Sequence, residues 1–451
     1  MAKGFTVMIY HDPSEIVRGL QQLLTSNKKR IGFLFGAGTS MCLDKKYRLP
    51  GIIQLTEEIL DEISNSAELP DAQLYSLALA QIKIALEKTN NWNIEYLLSD
   101  LEQKEKVVEG EDTLNGLRKY QIRALCDEVK KKIHTKVSIH NAIKSDGMDK
   151  LIHVDFAEWI GQAHRYFPIE IFTTNYDLLF ELGLESNSIP YFDGFMGSYE
   201  PFFVSEIVDD HAFMPQITKL WKIHGSLGWK YDEERKRVLR GCTDSINDIL
   251  VYPSIQKYSN SQKQPYTSLI DRLYRFLRQD DTVLFVFGYS FGDEHLNERI
   301  MTALKSGETS HVYGFLYDET IENSEKKYCL GPDNVAYKLA KSNSRLSLYG
   351  LRSAVIGCKP GQWKLRSEPS IEDTIQLNTY FDEDAAVDVD VPVSAVKPAK
   401  KGVPNNTKST EDLAIGKEKW TGSGNFTLPG FEIFVDFLHS MIVKSDQGKD
   451  K

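Results

Sequence analysis

The chain's 451 residues allow about two to four domains, and 41% hydrophobic, 26% charged and 11% aromatic residues exclude disorder, collagen and coiled coil as descriptions of the whole. Acidic residues number 64 and basic residues 54, and the net charge of −10 creates a diffuse negative field that opposes nonspecific attraction to nucleic acid or anionic lipid. Cys42, Cys126, Cys242, Cys329 and Cys358 form no CxxC, which excludes a zinc knuckle or a disulfide framework.

The N-terminal MAKGFTVMIYHDPSE has no basic segment followed by an apolar one, and apolar runs such as Thr282 to Phe287 fall far below the ~20 residues that span a bilayer. The expectation is a cytoplasmic, reduced protein with no metal, no membrane contact and no direct nucleic-acid ligand. Short apolar runs rich in β-formers then recur between helical patterns, as in a parallel α/β sheet. The first, Arg30 to Phe35, leads into Gly36, Ala37, Gly38, Thr39 and Ser40. Glycines before a helix let a diphosphate approach the main chain. Position 41 holds Met41, so the GxGxxG fingerprint of dehydrogenases fails, and a tight turn without ligand is the alternative.

The next strand lies too far along the chain for one crossover helix. Apolar residues recur at helical spacing between the two, at Leu74, Leu77, Ala78, Ile82 and Ala85, then at Ile122, Leu125, Val129 and Ile133. The pattern predicts a helical subdomain over Pro70 to Phe167, inserted into the sheet domain and covering its cleft.

A second strand, Ile169 to Thr173, ends in Thr174, Asn175, Tyr176 and Asp177, where α/β sheets place ligand groups. The alternative is an Asn/Asp turn capping a helix over Leu178 to Leu184. A third, Leu220 to Ile223, ends in His224, Gly225 and Ser226. A histidine there can take a proton from a sugar hydroxyl or a water, or merely bridge backbone groups. The fourth, Thr282 to Phe287, ends in Gly288, Tyr289 and Ser290, suited to the adenosine half of a dinucleotide, with Asp293 as the cap of a helix from Glu294. Consecutive Asp293, Glu294 and His295 point different ways on a helix, so they do not converge on a metal.

Val312 to Leu316 and a weaker Ser347 to Ile356 bring the count to five or six strands in one doubly wound, Rossmann-like parallel sheet within residues 1–380. From Phe381 an acidic stretch, Asp382 to Asp390, and a Pro, Lys, Asn and Gly-rich segment, Val391 to Gly424, read as a flexible linker over 381–430. Phe431, Phe434, Leu438, Met441 and Ile442 then recur at helical spacing, so residues 431–451 hold a helix free to dock on this fold, a sister subunit or a partner.

Taken in order, GAGTS, TTNYD, HGS and GYS, each after a β run, resemble the NAD-binding core of the sirtuins. Leu49-Pro50-Gly51, Asn93 to Leu98 and Gly288 to Asp293 further resemble the sirtuin-like NAD-hydrolysing effectors of bacterial antiphage defence. The resemblance covers about Arg30 to Leu316. The two CxxC pairs of the deacylating sirtuins are missing, and Tyr47-Arg48-Leu49-Pro50-Gly51 replaces their Arg-containing segment after the first loop.

The resemblance implies an NAD hydrolase that releases nicotinamide and ADP-ribose and acts in abortive infection. His224 would take a proton from a ribose hydroxyl or water, and Asn175 would position the ribose or the water. Gly36, Ala37, Gly38, Thr39 and Ser40 would surround the diphosphate. Asp177 would bind a ribose hydroxyl or the nicotinamide amide, Thr174 and Gly225 would add further contacts to NAD, and Gly288 and Ser290 would take the adenosine half. NAD is then a substrate, and control comes through assembly, as a homo-oligomer or with a HerA-type ATPase, since the chain has no GxxxxGK[ST] loop. A sirtuin-type deacylase or ADP-ribosyltransferase, and a non-enzymatic module binding NAD or ADP-ribose, remain alternatives.

Overall fold

A computed structural model describes residues 9–89, 92–163, 165–232, 234–241, 249–251, 265–307, 309–322, 325–370, 377–384, 387–388 and 418–442. Its centre is a ten-stranded sheet. In chain order the strands are β1 (Tyr10–His11), β2 (Arg30–Phe35), β3 (Glu170–Thr173), β4 (Tyr191–Phe192), β5 (Thr218–Lys222), β6 (Thr282–Phe287), β7 (His311–Phe315), β8 (Leu346–Tyr349), β9 (Ser353–Ile356) and β10 (Lys359–Trp363). They lie in the spatial order β1-β10-β9-β8-β7-β6-β2-β3-β5-β4. From β8 to β4 every pairing is parallel, the Rossmann-like arrangement expected. Ser347 to Ile356, read as one weak strand, is two: β8 and β9 pair antiparallel, with Tyr349 opposite Ala354. Added strands of two to five residues escaped the sequence reading because they are too short to show a period.

The middle strands are buried on both faces, as their unbroken apolar runs require. Ile31, Phe33 and Phe35 of β2 enter one core with Phe285 and Phe287 of β6. Leu34 enters the opposite core with Leu284 and Val286, as the two-residue repeat of a strand dictates. Helices Pro13–Thr25 and Ile152–Gln162 cover the first face. Tyr266–Leu277 and Glu294–Ser306 cover the second. Gly32 of β2 exists because that second layer sits tight: a Cβ there would meet the Phe276 ring at 2.5 Å.

Between β2 and β3 the chain forms Ile52–Ser64, Ala72–Glu87, Ile94–Val107 and Lys119–Val137, which share one apolar core. Lys119–Val137 buries Ile122, Leu125, Val129 and Ile133 as its spacing predicts. Ala72–Glu87 is rotated from expectation: it buries Tyr75, Ala78, Leu79 and Ile82, while Leu77 is 65% exposed and Ala85 also faces solvent. Tyr75 and Leu79, three and four positions from their buried neighbours, outcompete the smaller Ala85 for burial.

The chain's end differs from a free tail. Phe381–Glu383 pairs with Gly424–Phe426, so the segment returns to the sheet domain. The helix Phe431–Ser440 lies on the first face. Phe434 and Phe287 have ring centroids 4.2 Å apart, and Phe431 packs on Phe35 at 5.3 Å. The middle of the expected linker, residues 389–417, and the last residues, 443–451, lie outside the described residues, as does Cys242.

This helix also closes over His153, a ring 1% exposed that meets Phe180 at 4.6 Å and Phe431 at 5.5 Å. Among the described residues neither ring nitrogen has a hydrogen-bond partner, and burial holds the imidazole neutral, pushing its pKa down to about 3.

Two tests follow from this packing. Phe434→Ala should cost ~3–5 kcal/mol in denaturant unfolding, as for a fully buried aromatic; a cost near zero would mean that the helix is detached. The unfolded chain protonates His153 at its ordinary pKa near 6.5 and the folded chain does so only near 3. This contribution is therefore intact above about pH 6.5 and is lost as pH falls from there toward 3. Paired melts of the parent and His153→Phe across that window should show a smaller loss of stability in the variant.

Candidate functional site

Phe287, Phe35, Thr173 and Lys222 stand on one rung of the parallel sheet. One residue further on, all four strands leave at the same edge through Gly288, Gly36, Thr174 and Ile223. The chain builds β3 and β5 outward on one side of β2 and then returns to place β6 on the other. The gap between β2 and β6 is thus the topological switch point, where open α/β sheets bind ligands.

The loops after β2 and β6 interlock through their main chains. Gly38 N–H donates to Gly288 O at 3.0 Å, and Gly36 N–H donates to Phe287 O at 2.9 Å. A Cβ at Gly36 would lie 2.5 Å from Gly288 O; one at Gly38 would lie 2.6 Å from Gly288 Cα. Gly288 has φ +62°, and a Cβ there would lie 2.6 Å from Thr39 N. These glycines are required by each other before any ligand is considered. Thr39 and Ser40 also spend their amides internally, on Gly36 O and Ala37 O. The following helix, Gly38–Met41, is a single turn.

Asn175 ties the second loop to the first. Its Nδ2 donates toward Ser40 Oγ at 3.0 Å, Gly36 O at 3.2 Å and Thr39 Oγ1 at 3.3 Å. Because Gly36 O is a carbonyl, the amide must turn its nitrogen that way. That leaves Oδ1 as the atom able to accept from a sugar hydroxyl or a water. Ser40 Oγ donates to Asp177 Oδ2 at 2.7 Å, and Asp177 Oδ1 accepts Leu179 N–H at 3.2 Å, capping Leu179–Ser186. Asp177 thus takes an amide at the start of the following helix on one oxygen and the Ser40 hydroxyl on the other. Lys222, 3% exposed, holds the loop from below through Asp177 O and through Glu181 Oε1 at 2.9 Å.

His224 is bracketed by two acids. Its Nε2 lies 3.1 Å from Asp293 Oδ2 and its Nδ1 lies 3.3 Å from Glu95 Oε1. Asp293 keeps its capping role as well, accepting His295 N–H at 3.0 Å and Leu296 N–H at 3.2 Å on Oδ1. Glu95 comes from the helical insert, placed by Asn93, whose side chain caps Ile94–Val107. Tyr176 donates its hydroxyl to the same Glu95 oxygen. Burial, and then the Glu95 charge, push that phenol well above its ordinary range, so it stays a donor. Tyr289 donates to Asn297 Oδ1 at 3.0 Å and Asp293 O at 3.2 Å, fixing the loop that carries the acid.

The expected residues thus separate into two depths. Ala37, Gly38 and Thr174 are half-buried and Gly288 and Ser290 are exposed, forming a mouth; Gly36, Thr39, Ser40, Asn175, Asp177, His224 and Gly225 lie buried. Sequence reasoning assigns Glu95 no role of its own and reads Asp293 as a helix cap, whereas the structure sets an oxygen of each against His224. The Asn93 to Leu98 segment carried the signal, but nothing in it marks which way Glu95 faces.

The two carboxylates occupy opposite nitrogens of one ring, so they do not converge on a point. Among the described residues no group of three or more His, Cys, Asp or Glu side chains is placed to hold a metal ion. No described helix is long and apolar enough to cross a membrane. A depression of about 480 Å³ on the insert, lined by Val107, Val108 and Glu111 to Leu114, shares no residue with the strand ends.

Residues 169–339 match the family model of the SIR2-like domain. The match takes in the Asn175, His224 and Gly288 loops and begins after the Gly36 loop and the insert. That stretch of the chain is therefore similar to a SIR2-like domain, and it lies on a Rossmann-like, mostly parallel sheet. No curated protein matches the chain.

The interlock makes a specific demand at Gly288. Gly288→Ala should destabilise the protein by about 1–3 kcal/mol, measured by denaturant unfolding, whereas Ser290→Ala at the exposed mouth should stay within about 0.5 kcal/mol of the parent. Equal stability of the two variants would show that the loops do not meet as described.

Proposed function

We propose that the protein hydrolyses NAD at the nicotinamide–ribose bond, giving nicotinamide and ADP-ribose. The observation that carries this reading is that Asn175, Asp177 and His224 lie buried just past the ends of the neighbouring strands β3 and β5, with Asn175 and Asp177 both bonded to the loop after β2 at the switch point.

Cleavage breaks the C1′–N bond, and its electron pair leaves with the nicotinamide ring, which becomes neutral. Water then forms the new C1′–O bond and gives up one proton. Asn175 Oδ1 is suited to orient the ribose or that water, and His224, once one ring nitrogen is free, is suited to take the proton. Buried carboxylates at Asp177, Glu95 and Asp293 favour the positive charge that develops on the ribose. Ala37 and Gly38 would lie along the diphosphate, and Gly288 and Ser290 along the adenosine half. Thr39, Ser40, Thr174, Gly225 and Gly36 would hold the walls.

Ser40, Thr39 and Asn175 Nδ2 satisfy one another, which leaves Asn175 Oδ1 for a ligand. We extend the reading to an antiphage effector controlled by self-assembly or by a HerA-type ATPase. The support for this extension is the order of the motifs and the Asn93 to Leu98 and Gly288 to Asp293 segments, which resemble that branch.

The test is incubation of the full chain with NAD, alone, with an acyl-lysine peptide and with a HerA-type ATPase, following nicotinamide and ADP-ribose. Equimolar products without peptide, reduced about 10²- to 10⁴-fold in a folded His224→Ala variant, are expected. Release of nicotinamide only with peptide would establish an acyl-transfer enzyme instead, and binding without products would establish a sensor.

A further inference from the structure

We propose that Glu95 and Asp293 hold His224 as a doubly protonated imidazolium at rest, and that His224 can accept a proton only after Glu95 is drawn off Nδ1, so that the helical insert gates the site. The mechanistic half of this inference rests on the hydrolase reading above; the protonation half does not.

A neutral imidazole has one N–H and one lone pair. Here an acid oxygen faces each nitrogen, at 3.3 Å from Nδ1 and 3.1 Å from Nε2. A lone pair aimed at either carboxylate would be repelled, whereas a second N–H converts that contact into a charge-assisted bond. The described groups around the ring agree. Asp293 accepts two main-chain amides on its other oxygen, which favours its ionised form. Tyr176 gives Glu95 a hydroxyl proton rather than asking for one. Tyr266, at the start of Tyr266–Leu277, lies with its ring centroid 6.3 Å from that of His224 and brings no charge while protonated. Side chains of His224, Glu95 and Asp293 are 9%, 7% and 12% exposed, so little water screens the pairs.

The two acids are not equivalent. Asp293 is anchored by the helix it caps, at the end of the loop after β6 that also carries Gly288 and Ser290. Glu95 belongs to the insert, whose apolar core, among the described residues, meets the strand-end loops through Tyr176, Leu178 and Leu227. Leu227 N–H in turn donates to Tyr176 O at 3.1 Å. A shift of the insert therefore moves Glu95 relative to His224 and leaves Asp293 in place. Freed at Nδ1, the ring keeps its Nε2–H on Asp293, releases its Nδ1 proton to water and becomes a base oriented by Asp293.

Histidine ring NMR on the full chain tests this without any substrate. With ¹³C-labelled histidine and His224→Gln to assign the signal, the parent ring should remain charged past the ordinary midpoint near 6.5. Glu95→Gln should lower the midpoint by at least about one pH unit. Asp293→Asn, which keeps a good helix cap, serves as the second variant and should lower it likewise. A parent ring that is neutral at pH 6, or an unmoved midpoint in the variants, overturns the proposal. In parallel, the acid-side half-maximum of NAD turnover should move down with the midpoint in Glu95→Gln. If no variant or parent cleaves NAD, the hydrolase reading fails while the titration still decides the clamp. If turnover is present but its acid limb ignores Glu95, the gate fails.

Discussion

Main chain meets main chain where the loops after β2 and β6 come together, because Gly36, Gly38 and Gly288 have no side chains to hold them apart. Parallel pairing in register brings both loops to the same rung, and the return of the chain across β2 makes that rung the switch point. The approach sets the position of Thr39 and Ser40, Ser40 sets Asp177, and Asn175 joins the two loops with one amide. A single added methyl at Gly288 would push against the chain that starts this sequence of contacts.

Around this fixed centre the protein places acids that the sheet alone could not afford to bury. Glu95 and Asp293 are tolerated because His224 lies between them and because Tyr176 and the amides of His295 and Leu296 take up further oxygen valences. The same pattern holds deeper in the fold, where Glu170 accepts from Arg272 at 2.6 Å and from Trp221 Nε1 at 2.8 Å. That second pair is fully enclosed by the sheet domain, so it rigidifies. The His224 group instead spans two bodies of apolar packing, the insert and the sheet, and its charge state is coupled to how they sit together.

Much of this is legible in the amino-acid sequence. Four of the parallel strands announce themselves as unbroken apolar runs, and the polar clusters after them sit where ligands bind in such sheets. The limits were physical. Strands of two residues carry no period. Ala72–Glu87 has apolar residues nearly all round, so its buried face was decided by the packing of Tyr75 and Leu79 rather than by spacing. The final helix is amphipathic on any reading; only the Phe287 and Phe35 rings of the sheet tell it where to dock. Glu95 was the least visible, since a glutamate near a helix start is ordinary and its role depends on a histidine more than a hundred positions away.

Hydrogen exchange on addition of ADP-ribose tests the central claim, that the four strand ends form one dinucleotide site. Simultaneous slowing of exchange in Gly36 to Ser40, Thr173 to Asp177, His224 to Leu227 and Gly288 to Asp293 is the predicted result. Binding with protection confined to the insert around Val107 to Leu114, or no protection at saturating ligand, would contradict it.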